Sequence, residues 1–168
     1  FLISFNQIQF YDFKTTYLIG NEWWRLITPM FIHFSPTHLI FNSLWIYILG
    51  REIEQLDGKI IFIFLILFTS IVSNYLQYSF SGPSLFGGLS GVVYGLLGYC
   101  FVSETFLRIN KFSFPPAIYI FMFVWLLIGF TGFLDLLGFG KIANFAHLGG
   151  LLSGILSGYI FSMYNKKT

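Results

Sequence analysis

This sequence predicts an all-α fold, a polytopic transmembrane helical bundle, and three observations carry that prediction. Of its 168 residues, 56% are hydrophobic and only 10% charged, against about 25% charged in a soluble domain. Aromatic side chains make up 22%, with 23 Phe among them, a surface chemistry suited to lipid rather than water. Five apolar runs approach the roughly 20 residues that a helix needs to cross a hydrocarbon core. A formal net charge of +2 gives no basic footprint for nucleic acid. Cys100 is the only cysteine, which excludes an intrachain disulfide and leaves the redox compartment unreadable.

Taken in order, residues 1–8 read as the tail of an earlier helix, because the chain starts without Met or a basic signal-peptide region. On this reading a single domain covers 1–168 and lacks most of its first transmembrane helix. Residues 9–36 are too polar to span. They set Trp23 and Trp24 beside Arg25, with Asp12 and Lys14 upstream, and paired Trp next to charge belongs at the headgroup interface. The five spans are predicted at 37–55, 59–79, 90–107, 115–134 and 145–163. "SGPSLFGG" (81–88) breaks the chain before the third, and "FPPA" (114–117) opens the fourth.

Lys and Arg orient the bundle. Arg51, Lys59, Arg108, Lys111, Lys166 and Lys167 fall on one side, and Lys14, Arg25 and Lys141 on the other. That bias puts the C-terminus in the cytoplasm. The spans that begin near Thr37, Ser90 and Phe145 then all start at the outer face.

Polar side chains inside a membrane are costly and mark function by default. The three outer helix starts carry His38 and Asn42, then Ser90, then His147. His38 and Asn42, four residues apart, share a helix face. Gly150, Gly154 and Gly158 follow His147 at helical spacing, and Gly91, Gly95 and Gly98 thin the serine-bearing helix. Such small-residue stripes let backbones approach closely, which would bring Ser90 to His147.

The chemistry of that meeting is coherent. A serine hydroxyl becomes a nucleophile when an imidazole takes its proton, and the resulting oxyanion needs donors aimed at it. The Ser90 backbone N–H lies at a helix start, where such groups lack intrahelical partners. The Asn42 amide and the His38 ring add side-chain donors. Gly88 and Gly91 leave room for a substrate backbone, and Tyr94, one turn below Ser90, can stack on His147.

Each residue also has a plainer reading. Ser90 alone reads as a helix cap, His147 as a helix-packing hydrogen-bonder, Asn42 as interhelical glue, and His33 as an interfacial residue. Their coincidence at one depth favours chemistry. Competing motifs fail on spacing. Gly88-Leu89-Ser90-Gly91 lacks the second glycine of a nucleophile elbow, and no H-E-x-x-H is present. Tyr11-Asp12 and Gly132-Phe-Leu-Asp135 do not reproduce paired aspartyl-protease motifs. Asp135 ends the fourth span and reads as a loop residue rather than the third member of a triad.

Together "EWWRLITPMFIHFSPTHLIFN" (22–42), "GGLSGVVYG" (87–95) and "NFAHLGGLLSG" (144–154) resemble the rhomboid intramembrane serine proteases, most closely the bacterial type. The match runs from about Trp24 to the end of the chain, and its departure is the missing first helix. The resemblance implies six helices in the complete protein and a Ser–His dyad rather than a triad. By it Ser90 is the nucleophile, His147 the general base and acid, and His38 and Asn42 oxyanion partners, supported by Gly88 and Tyr94. It implies no metal or cofactor. Phe41 and Trp125 would meet at a lateral gate for substrate.

The expected reaction is hydrolysis of peptide bonds in or beside transmembrane segments of other membrane proteins, among membrane lipids. The expected place is the bacterial inner membrane, with the site open to the periplasm. A non-catalytic rhomboid-like binding module or chaperone is the alternative, but such proteins normally lack the Ser–His pair. A His38–His147 proton relay for transport is disfavoured, because the polar groups cluster at one end.

Overall fold

The computed structural model describes residues 23–82, 84–107, 111–133 and 142–165. The expectations for 1–8, and for Tyr11, Asp12, Lys14, Arg108, Asp135, Lys141, Lys166 and Lys167, lie outside these residues. Two 3-10 turns, Trp23–Leu26 and Thr28–Phe31, lead into α1 (Pro36–Asp57), α2 (Lys59–Ser81), α3 (Ser90–Leu107), α4 (Pro116–Phe130) and α5 (Asn144–Asn165). All five expected spans are helices.

The helix boundaries follow from local chemistry. Ser35 caps α1, its side chain accepting from the His38 N–H at 3.1 Å, and Pro36 supplies the preset first φ. Gly58, at φ +90°, ends α1 and begins α2, so the chain reverses through one residue whose conformation other residues resist. The fourth helix stops at Phe130, short of the expected 134. Thr131 Oγ1 turns back to donate to the Ile128 carbonyl at 2.7 Å, and Gly132 takes φ +73°. Fifteen residues make a helix of about 22 Å, shorter than a hydrocarbon core of about 30 Å.

Helix α3 is central. Every residue from Gly91 to Cys100 is buried, as expected of a helix that is apolar all round. It packs mainly on α5, and glycine makes that seam possible. A methyl group at Gly150 would overlap the Gly91 carbonyl, and one at Gly154 the Gly95 carbonyl. Gly98 in turn faces the Leu151 carbonyl of α5, where a Cβ would lie 2.5 Å away. On the far side of α3, Leu49 and Ile53 of α1 and Leu65 of α2 complete the core.

Outward faces carry Ile40, Leu44, Ile60, Ile63, Phe123, Leu127, Leu152 and Ile160, all exposed, an apolar belt suited to lipid. Helices α2 and α5 are long and apolar enough to cross a membrane. The turns before α1 hang on α2, where Asn74 Nδ2 donates to the Leu26 carbonyl at 2.7 Å. Trp23 and Trp24 stay exposed there, edge to face with ring centroids 6.2 Å apart. That placement suits the interfacial role read from their composition.

Candidate active site

Ser90 is the first residue of α3. The first bond of its helical ladder runs from Val93 N to Leu89 O at 2.9 Å, so the N–H groups of Ser90 and Gly91 lie ahead of that ladder. The loop before it is held by Gly88 N, which donates to the Pro29 carbonyl at 3.0 Å, while Gly88 itself sits at φ +115°. An L side chain there would be strained. A Cβ would also lie 2.7 Å from His38 Cε1 and 3.4 Å from Asn42 Nδ2. Glycine is therefore needed where three elements converge beside Ser90.

Opposite stands α5. His147 is buried, and its Nε2 lies 2.8 Å from Ser90 Oγ, within hydrogen-bond range. Among the described residues no carboxylate hydrogen-bonds this ring. The Tyr94 ring tilts 30° against it with centroids 4.7 Å apart, and the Tyr94 hydroxyl donates to the Met122 carbonyl of α4 at 2.9 Å. The first turn of α5 is itself fixed from α2, because Gln77 Oε1 accepts from Ala146 N at 3.0 Å.

His38 and Asn42 stand on the same side of α1, both facing Gly88. Asn42 is 2% exposed, and its Nδ2 has no hydrogen-bond partner. Burying such a donor unpaired costs about 1–3 kcal/mol, so the fold tolerates an amide poised for an acceptor. The His38 ring is bracketed by Phe34, stacked at 6.3 Å, and by His33, edge-on at 4.9 Å. Burial holds the His33 imidazole below its ordinary pKa, with the Phe31 carbonyl opposing.

These groups line one cavity of about 300 Å³. Phe41 and Trp45 of α1 and Phe121, Met122 and Trp125 of α4 form its apolar walls, with Ser90, His147, His38 and Asn42 around it. Phe41 and Trp125 meet with ring centroids 6.5 Å apart, and Phe121 stacks on Trp45 at 6.4 Å and tilts against Trp125 at 5.8 Å. The seam between α1 and α4 is thus closed by aromatic side chains. Among the described residues, no three His, Cys, Asp or Glu side chains gather as metal ligands.

Sequence reasoning missed the support beneath the site. Gln77, Ser73 and Asn74, all buried, recur at helical spacing in an apolar span, and that pattern could have marked them. His33, expected at the interface, also meets the His38 ring, because the turn at Ser35 folds it back.

A family profile for the rhomboid domain matches residues 20–164. The chain is 36% identical over 149 residues to the rhomboid protease GlpG of Haemophilus influenzae, covering 88% of this chain and 74% of that protein. It is 39% identical over 136 residues to the protein of the same name from Serratia proteamaculans, covering 81% of this chain and 47% of the relative. Against that of Klebsiella pneumoniae the values are 34% over 146 residues, 87% and 51%. The chain thus spans about half the length of the latter two relatives.

Proposed function

Because this chain belongs to the rhomboid family, we propose that it is an intramembrane serine endopeptidase acting through Ser90 and His147. Family membership and the apolar α2 and α5 make it an integral membrane protein. The observation that carries the mechanism is the 2.8 Å contact between His147 Nε2 and Ser90 Oγ, in a cavity that also holds the unpartnered Asn42 amide.

In the reaction, Ser90 Oγ attacks the carbonyl carbon of the scissile bond as His147 Nε2 takes its proton. Negative charge collects on the carbonyl oxygen, where the Ser90 N–H, Asn42 Nδ2 and His38 ring donate to it. Collapse breaks the C–N bond, and His147 returns the proton to the departing amine. A water then attacks the acyl ester on Ser90 as His147 takes its proton, and His147 returns that proton to Ser90 Oγ as the ester C–O bond breaks and the new carboxyl terminus leaves. Tyr94 keeps the imidazole aligned, and Gly88 leaves the substrate backbone its space.

The substrate is a transmembrane segment of another protein. It is admitted from lipid between α1 and α4, past Phe41 and Trp125. We place the chain in the bacterial inner membrane, C-terminus cytoplasmic and the site open to the periplasm, on the Lys and Arg distribution. A non-catalytic role is not favoured, since both dyad residues are present and in contact. The test is labelling by a serine-directed fluorophosphonate. Wild type should be modified on Ser90, and Ser90→Ala and His147→Ala should not. Equal labelling of all three would remove the dyad.

A further inference from the structure

Helix α4 meets lipid over much of its circumference. Ile120, Phe121, Phe123, Val124, Leu127 and Phe130 are all exposed, and Met122, Leu126 and Gly129 are buried. Among the described residues, polar ties hold it at its two ends and midway. At its inner end Tyr119 donates its hydroxyl hydrogen to Glu104 of α3. At its outer end Asn144 Nδ2 of α5 donates to the Gly129 carbonyl at 2.7 Å. Midway, and level with the aromatic seam, Tyr94 of α3 donates to the Met122 carbonyl at 2.9 Å. Met122 is one helical turn from Trp125, and both line the cavity.

The middle tie differs from the others in what else its side chain touches. Tyr94 is 2% exposed, and the ring that carries the latching hydroxyl is the ring against which His147 rests, centroids 4.7 Å apart. Its two ends therefore serve different helices. The hydroxyl grips the backbone of the wall that must move to admit a transmembrane segment. The ring face seats the imidazole that contacts Ser90 at 2.8 Å.

We propose that Tyr94, whose ring seats His147, has a second and separable duty as a positioning residue: its hydroxyl latches α4 closed. A backbone acceptor suits such a latch, because no side chain of α4 has to be in place for closure. A segment wedged between Phe41 and Trp125 draws the Met122 carbonyl away and breaks a single hydrogen bond, while the ring stays on the imidazole. The wall can then open without loss of the aligned dyad. The kinetic half of this inference rests on the protease reading, whereas the latch itself does not.

Two substitutions separate the duties. Tyr94→Phe keeps the ring and loses the latch; Tyr94→Leu loses both. In proteoliposomes, Tyr94→Phe should raise the ratio of kcat/KM for a single-span reporter to that for a short soluble peptide by about 2- to 10-fold, the population change from one lost hydrogen bond. Fluorophosphonate labelling of Ser90, which needs alignment but no lateral passage, should slow at least tenfold more in Tyr94→Leu than in Tyr94→Phe. An unchanged ratio, or equal labelling of the two variants, overturns the proposal.

A spin-label pair at Ile40 and Leu127, both exposed and outside the cavity lining, reads the latch without any catalysis. The buried Cys100 need not be replaced. Tyr94→Phe should add a longer component to the distance distribution, and an identical distribution refutes the latch. If wild type neither cleaves nor labels, the protease reading fails, and the spin-label distance still decides the latch.

Discussion

Gly154→Val should nearly abolish catalysis from a position that touches no substrate. Gly154 lies seven residues after His147, two turns further along α5 or about 10 Å, and it packs on the backbone of Gly95 in α3. A Cβ there would sit 2.6 Å from the Gly95 carbonyl carbon and 2.8 Å from its Cα. Carbon atoms in contact prefer about 3.5–4.0 Å, so α3 and α5 must part by about 1 Å before the branched methyls of Val are counted. Neither obstacle is a flexible side chain that could swing aside. The same two helices carry Ser90 and His147 at 2.8 Å, and a further 1 Å takes them beyond hydrogen-bond range. Misplacement by 1 Å costs about 100-fold in an alignment-dependent reaction, while overpacking costs about 1–3 kcal/mol of stability. Activity on a single-span reporter in proteoliposomes should therefore fall about 100-fold or more, with Ser90 labelling falling in parallel and a helical circular dichroism spectrum retained. Leu156→Val, on the exposed face of the same helix, is the control and should stay near wild type. A Gly154→Val protein within threefold of wild type refutes the idea that glycine contacts set the dyad distance.

Asn42→Ala should lower kcat by about 100- to 1,000-fold, the loss seen for one oxyanion donor. Because it removes a buried unpaired amide, thermal stability should hold or rise, and an unchanged kcat would reduce Asn42 to packing. Converting Phe41 and Trp125 together to Ala opens the seam where their rings meet at 6.5 Å. The double variant should speed cleavage of a transmembrane substrate more than of a short soluble one, and equal effects would exclude lateral passage. At the opposite end of the bundle, Lys111 pairs with Asp57, whose side chain is 2% exposed. Lys111→Met leaves that buried carboxylate without its cation, with the Tyr99 hydroxyl beside it, and should cost about 3–5 kcal/mol in denaturant unfolding. Adding Asp57→Asn should recover most of it, and an unaffected single variant would show the pair to be energetically idle.

The helices were legible because membrane spans announce themselves. Apolar runs of the right length alternate with Gly, Pro or Lys breaks, and Gly58 and Pro116 stand where α2 and α4 begin. The end of α4 was misplaced because Phe133 and Leu134 continue the apolar run, whereas hydrogen bonding by Thr131 ends the helix earlier. At the site, His38 and Asn42 could be placed on one face from their spacing, and the glycine stripes implied the close approach of α3 to α5. Contacts across long stretches of chain were not legible. Gln77 supports Ala146 across 69 positions, and Tyr94 reaches Met122 across 28, and no local pattern encodes either pairing. Nor could spacing show that His33 folds back on His38, since that depends on the turn at Ser35 and the cap it makes.

The most direct test reconstitutes the protein in liposomes with a single-span reporter and identifies the cut by mass spectrometry of both fragments. Wild type should cut within or immediately beside the reporter's transmembrane segment, and Ser90→Ala should leave the reporter intact while keeping its fold. A Ser90→Ala protein that cuts the same bond at the wild-type rate would contradict the assignment of Ser90 as nucleophile, and with it the account of how this bundle works.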